Sequence, residues 1–370
     1  MKHNAFLEKL LQGASVEWKT LGEVAIIRHG RDWKSLGAGN IPVYGSGGIM
    51  GYVNKYTYQK ESVLIPRKGT ITNLFYVNKP FWNVDTIYYT EIDASQIFPK
   101  FLFYFLKTID FMKLDTGSGR PSLTQAILNK IQIPIPPLSV QQEIVKILDT
   151  LTALTSELTS ELTLRQKQYQ HYRDKLLTFG DEVEWKTLGE IAEYAKTKIQ
   201  ATELHENNYV GVDNLLQNKM GKTTSNYVPD SGRFTQFIDN DILIGNIRPY
   251  LKKIWYSDCI GGTNGDVLVI RRKDNRINPR YLYQVLSDDK FFAYNMKHAK
   301  GAKMPRGNKE AILQYLIPIP SLEEQKRIAA ILDKFHTLTS SLSDGLPKEI
   351  ELRQKQYEYY RDLLLNFKQD

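Results

Sequence analysis

The stretch QQEIVKILDTLTALTSELTSELTLRQKQYQHYRDKLLTF, residues 141–179, decides the architecture. Ile144, Ile147, Leu148, Leu151, Leu154, Leu158 and Leu162 recur at three- and four-residue spacing, the period of one apolar helical face. No Gly or Pro interrupts the run. At about 1.5 Å per residue the helix would extend roughly 58 Å, far beyond the usual length of about 11–12 residues. Residues 325–367, QKRIAAILDKFHTLTSSLSDGLPKEIELRQKQYEYYRDLLLNF, repeat it. Ile147-Leu148-Asp149 returns as Ile331-Leu332-Asp333, an offset of 184, and LRQKQY at 164–169 returns at 352–357, an offset of 188. The second copy therefore carries four extra residues around Asp344-Gly345-Leu346-Pro347. Gly345 is a poor helix former and Pro347 lacks a backbone donor. A break is predicted near 343–347, with Pro347 opening a restarted helix and Asp344 or Ser343 near its cap.

Working outward, the WKTLGE of residues 18–23 returns unchanged at 185–190. EKLLQG at 8–13 resembles DKLLTFG at 174–180, and the chain closes on another copy, Tyr360-Arg361-Asp362-Leu363-Leu364. Each half begins where the other ends, as though a two-fold ring had been cut open. The termini are predicted to lie near each other, with a short helical stub over Phe6 to Leu11 inside residues 1–15. Between the helix copies lie two segments of similar outline. The first, 16–137, reads as short strands (24–27, 62–65, 70–77, 86–90), a buried helix over 100–112 and a short helix capped by Ser122. The proline-bearing strand IQIPIP at 131–136 closes it. The second, 181–320, matches it at its ends: Ile317-Pro318-Ile319-Pro320 answers Ile133 to Pro136. The middles diverge in length and content. The boundaries expected are therefore a stub (1–15), a first domain (16–137), a first spacer helix (138–180), a second domain (181–320) and a broken second spacer (321–370).

Composition narrows the function. The net charge is +8 at pI near 9.1, which favours an anionic partner. A lone cysteine, Cys259, excludes an intrachain disulfide and points to a reducing compartment. Six scattered histidines give no zinc-ligand spacing, and no segment reaches the roughly 20 apolar residues of a membrane span. No signal peptide opens the chain, so a cytoplasmic location is expected. Gly45-Ser46-Gly47-Gly48-Ile49-Met50-Gly51 approaches GxGxxG only loosely, with Met50 at the third glycine and no βαβ context. There is no GxxxxGK[ST], no GxSxG and no Asn-Pro-Pro-aromatic tetrapeptide. Asp149 and Asp333 recur at a helix position, where contacts explain them better than catalysis. No catalytic, cofactor-binding or metal-binding constellation is expected.

Basic loops remain. Residues 296–309, MKHAKGAKMPRGNK, carry Lys300, Lys303 and Arg306 among their cations and no acid. The counterpart loop at 117–122 carries Arg120 and Ser122. Matching turns carry Arg67, Lys68 and Thr70 in the first half, and Asn246, Arg248, Tyr250 and Lys252 in the second. Tyr44 and Ser46 of the glycine-rich segment complete the candidate set. Cations and backbone donors in such loops suit phosphates, while Arg suits guanine edges and Asn adenine edges.

Taken together, the opening Trp-Lys-x-Leu-Gly-Glu, the closing Ile-Pro-Ile-Pro, Gln141 or Gln325 at each helix start and the Leu-Arg-Gln-Lys-Gln-Tyr tail resemble the specificity subunits of Type I restriction–modification systems. The resemblance covers essentially the whole chain. It implies an α+β fold: two similar mixed α/β target recognition domains, separated by two long helices packed as an antiparallel coiled coil, with an internal pseudo-two-fold repeat. It also implies a subunit without catalysis of its own, reading a bipartite site on double-stranded DNA with one domain per half-site. Its partners would be two modification (methyltransferase) subunits and restriction (translocase/nuclease) subunits, in a bacterial or archaeal cytoplasm and with no membrane. S-adenosylmethionine, ATP and Mg would belong to those partners. The insertion at 345–347 departs from an uninterrupted second helix. The rival readings are a standalone DNA-modifying enzyme and a coiled-coil scaffold with no DNA role.

Overall fold

The structure, a computed structural model, describes residues 5–116, 119–341 and 344–368. Its scaffold helices are α1 (Pro99–Leu106), α2 (Leu138–Leu176), α3 (Pro279–Leu286), α4 (Leu322–Ser340) and α5 (Leu346–Leu365). The chain divides into two compact units, one of residues up to 157 with those from 351 onward, the other of residues 158–350. The fold is mixed α/β with an internal repeat, and the long helix α2 contributes to both units.

In the first unit an antiparallel sheet runs Ala25–Arg28, Ile87–Ile92, Ser62–Pro66, Phe75–Val77. A smaller sheet holds the hairpin Ala38–Gly45/Gly48–Val53 and Trp82–Asn83. The core sits where α1 and the sheet meet the start of α2 and the end of α5. Phe101, Leu102, Ile144, Leu148, Tyr357 and Leu364 are buried there together. The second unit repeats the main sheet as Ala192–Tyr194, Val267–Arg272, Ile242–Gly245, Ile254–Tyr256. It replaces the hairpin sheet by Lys198–Gln200, Arg233–Phe237, Gly261–Thr263, Tyr209–Val210. Its core joins Tyr281, Leu282 and Leu286 of α3 to Ile328 and Leu332 of α4, and Phe335 of α4 stacks on Tyr169 and Tyr172 of α2 at centroid distances of 5.9 and 5.4 Å.

The repeated motifs acquire physical roles. The opening and closing motifs pair with each other. Glu17–Thr20 runs antiparallel to Gln132–Ile135 with Trp18 opposite Pro134, and Glu184–Thr187 to Leu316–Ile319 with Trp185 opposite Pro318. The Thr-Leu-Gly-Glu that follows is a helix start. The Thr20 amide and hydroxyl both donate to the Glu23 carboxylate at 2.6 Å, and Thr187 treats Glu190 the same way at 2.7 and 2.8 Å. These bonds, hydroxyl first, hold both carboxyls below the usual range.

Gln141 and Gln325 are fully buried staples at the helix starts. Gln141 accepts from the Phe98 amide at 2.7 Å and donates to the carbonyls of Gln96 at 3.1 Å and Pro136 at 2.9 Å. Gln325 accepts from Asn278 at 2.8 Å and donates to Arg276 at 2.9 Å and Pro320 at 2.8 Å. Each ties α2 or α4 to the start of α1 or α3 and to the exit strand at once. Gln325→Leu strands a buried donor and two acceptors, so a loss of about 2–3 kcal/mol is expected in urea denaturation; a loss within about 0.5 kcal/mol would show that these bonds do not fasten the helix start. Asp149 and Asp333 make parallel clamps about two turns further along, each eight residues after its glutamine. Asp149 accepts from Lys100 at 2.7 Å and Tyr104 at 2.5 Å, Asp333 from Arg280 at 2.7 Å and Gln284 at 2.5 Å.

Described residues near both ends of the chain meet within the first unit. Phe6 of the stub helix Ala5–Leu11 lies edge-on to Tyr360 at 6.2 Å, and Leu7 shares the core with Leu364. Trp18 donates its indole N–H to the carbonyl of Lys368 at 3.2 Å, where Trp185 donates to Gly180 at 3.4 Å.

Several expected bounds shift. Strand 70–77 is confined to Phe75–Val77, because the residues before it form a turn in which the Asn73 amide donates to the Thr70 carbonyl at 3.2 Å. The helix expected over 100–112 stops at Leu106, where the Thr108 hydroxyl bonds back to Phe105, and a 3-10 turn follows at Phe111–Leu114. The short helix Gln125–Leu128 is capped by Thr124, not Ser122. α4 ends at Ser340 and α5 begins at Leu346, so Pro347 is the second helical residue, not the first. Ser343 lies outside the described residues.

Candidate nucleic-acid interface

In the first unit the main-sheet strand Ser62–Pro66 leaves its sheet into the turn at 67–70. Residues 121–123 fold against that turn. The Gly69 amide donates to the Pro121 carbonyl at 3.0 Å, and the Leu123 amide to Arg67 at 2.8 Å, with Lys68 bridged to Ser122. Ser46, at the tip of the neighbouring hairpin, joins the same edge: Asn73 donates to its carbonyl at 3.2 Å. Lys68, Thr70 and Arg120 are exposed and Arg67 is half-buried, its guanidinium reaching the Asp85 carbonyl at 3.4 Å. The Ser122 amide donates to Asp115 at 2.7 Å, which fixes the loop's return.

The second unit builds the same device. The Arg248 amide donates to Pro305 at 2.7 Å, and the Gly307 amide to Asn246 at 3.0 Å, with Ile247 bridged to Arg306. Bond for bond, Arg67, Lys68 and Gly69 correspond to Asn246, Ile247 and Arg248. The left-handed position that Gly69 occupies at φ +84° is occupied by Arg248 at φ +53°. Glycine takes that conformation freely; a side chain there costs about 1–2 kcal/mol. Arg248, Tyr250, Lys300, Lys303 and Arg306 are exposed. Arg306 reaches Asp266 at 3.3 Å and pairs its backbone with Lys300, closing the basic loop into a tight hairpin.

Three expected contact residues are placed otherwise. Tyr44 turns into the Phe75/Phe81 cluster at 5.6 and 6.3 Å, and burial raises its phenol pKa. Asn246 is buried; its side chain faces Asn295 beneath Gly307, so its contribution is to shape the turn. Lys252 is drawn to Asp289 at 3.0 Å, beside Lys219 at 2.6 Å. Burial pulls the Lys219 ammonium pKa down against that bond. Burial pushes the Asp289 carboxyl up, and the two ammonium groups outweigh it and leave it lowered. The sequence carried no signal for this triad, whose members come from remote positions, nor for the left-handed Arg248.

The arrangement offers cations, amides and hydroxyls on turns, which suits anion contact rather than bond-making chemistry. Among the described residues no three His, Cys, Asp or Glu side chains gather as a metal site, and no helix is long and apolar enough to cross a membrane.

Known proteins share this plan. The family profile described as Type I restriction modification DNA specificity domain matches residues 15–165 and again 180–352. A putative type I restriction enzyme specificity subunit of Haemophilus influenzae is 38% identical over 99% of this chain and 100% of its own length. A type I restriction enzyme specificity subunit of Escherichia coli is 34% identical over 99% of this chain and 98% of its own. The crystal structure of a Type I restriction–modification S subunit from M. genitalium superposes with a TM-score of 0.65 at 16% identity, covering 97% of each chain.

Proposed function

The chain belongs to the Type I restriction–modification DNA specificity family, and from that membership we propose that it reads a bipartite site on double-stranded DNA, one half-site per recognition domain. The domains are residues 16–137 and 181–320, and 138–180 with 321–370 serve as spacers. The specificity subunit supplies recognition; methyl transfer and ATP-dependent cleavage belong to the modification and restriction subunits that it docks, with S-adenosylmethionine, ATP and Mg bound there. The observation that carries the reading is the turn-and-loop device built twice by the same backbone bonds. One copy shows Lys68, Thr70 and Arg120, the other Arg248, Tyr250, Lys300, Lys303 and Arg306. A shared frame with different side chains is what two unlike half-sites require.

Cationic turns of this kind release counterions on binding, so affinity should fall steeply with salt. A gel shift of the chain with its modification subunit, repeated across salt concentrations, is expected to show that dependence and a preference for one sequence. Purified chain that methylates or cuts DNA unaided would favour a standalone enzyme. Assembly with no DNA binding would favour a scaffold. Spacer control of the gap is tested by inserting one helical turn between Leu151 and Leu162; the methylated half-sites should move apart, and an unchanged gap would refute it.

A further inference from the structure

The hairpin of the first unit has no equivalent in the second, and its tip is apolar. Residues 38–53, AGNIPVYGSGGIMGYV, contain no charged side chain. The base of the ribbon is anchored: Val43 and Val53 are buried, and the Trp33 ring covers Gly51. Its outer part is bare. Ile49, Met50 and Tyr52 are 51, 57 and 55% exposed, next to the two-residue turn Ser46-Gly47. Gly45 lacks a Cβ where the Met50 thioether lies across it, which keeps the tip thin. Ser46 ties that tip to the edge carrying Arg67, Lys68 and Arg120.

We infer that this ribbon enters the major groove of the half-site read by the first domain, and that Ile49 and Met50 recognise the C5-methyl group of a thymine. The inference deepens the DNA-reading proposal and rests on it. A two-stranded β-ribbon fits the major groove, and the thymine methyl is the apolar feature displayed there. The flanking cations mark the occupant as a polyanion rather than another protein face, and small residues at the tip allow close backbone approach to base edges. An apolar contact releases no counterions, so it adds sequence preference without steepening the salt dependence.

The test uses the complex of the full chain with its modification subunits on its methylated target, with each thymine of the half-site replaced in turn by uracil, which lacks only that methyl. The parent is expected to bind about fourfold more weakly at one position, the value of one buried carbon. Ile49→Ala/Met50→Ala, and Met50→Ala alone, are expected to bind more weakly on thymine DNA, to ignore the uracil replacement and to keep the parent's salt slope. A parent indifferent to every uracil, or variants as sensitive as the parent, would overturn the inference. Variants that lose their modification subunits while retaining the uracil response would identify the tip as a protein-docking face and overturn it too. A parent complex with no sequence preference on any DNA would instead bring down the DNA-reading proposal itself.

Discussion

Arg173→Ala is expected to destabilise the second unit by about 3–5 kcal/mol, the cost of leaving one member of a buried ion pair alone. The Arg173 side chain is 3% exposed and that of Asp288 8% exposed. The guanidinium donates to Asp288 at 3.3 Å, to the Tyr169 hydroxyl at 2.8 Å and to the Gln284 amide oxygen at 2.9 Å, and also to the Gln284 backbone carbonyl. Asp288 in turn caps the helix Asp289–Lys297 through the Lys290 amide at 2.8 Å. One side chain thus fastens α2 to α3 and to the next helix. Its copy in the repeat, Arg361, is bonded among the described residues only to its neighbour Asp362, at 2.7 Å. Where the second unit has Asp288 the first has Thr108, next to Lys107, whose pKa burial and Arg361 both lower. Arg361→Ala is therefore expected to cost under about 1 kcal/mol. Urea denaturation of both variants checks the contrast. Arg173→Met/Asp288→Asn, which removes both charges, should recover part of the loss. Equal costs at 173 and 361 would show that burial with Asp288 does not set Arg173 apart.

Arg248 is expected to separate stability from reading. Arg248→Ala keeps the left-handed backbone cost and removes the guanidinium. If Arg248 reads a base edge, discrimination at one position of one half-site should fall about 5–150-fold, the worth of a bidentate contact of about 1–3 kcal/mol. Arg248→Gly should lose the same discrimination while leaving the unit as stable or up to about 1 kcal/mol more stable, since glycine relieves the conformation but has more chain entropy to lose. Methylation of target variants by the assembled complex reads the first effect and denaturation the second. Arg120→Ala should alter the other half-site only. Unchanged site choice in Arg248→Ala would remove Arg248 from the interface.

The repeat and the helices were legible because helical periodicity and verbatim duplication are properties of the chain itself. Gly345 and Pro347 announce the break for the same reason, although the helix restarts one residue before the proline. The partners of the repeated motifs were not legible. Nothing in Trp-Lys-Thr-Leu-Gly-Glu states that it pairs with Ile-Pro-Ile-Pro more than a hundred residues later, nor that Gln141 is a fully satisfied buried staple. Such roles come from tertiary pairing. The candidate site was legible at the level of loops and not of side chains. Arg120 and Lys68 lie on the exposed edge as their charge suggests, whereas Tyr44 is drawn into an aromatic cluster and Lys252 towards Asp289 by partners remote in sequence. The left-handed Arg248 was hidden for a further reason: its counterpart is Gly69, and only the shared hydrogen bonds reveal the equivalence.

One chain is proposed to read two unlike half-sites. Sequencing the methylated bases in a host that carries this chain with its modification subunit tests it most directly. Adenine methylation in two different short sequences at a constant separation is expected. A single uninterrupted motif, two identical halves, or no motif dependent on this chain would contradict it.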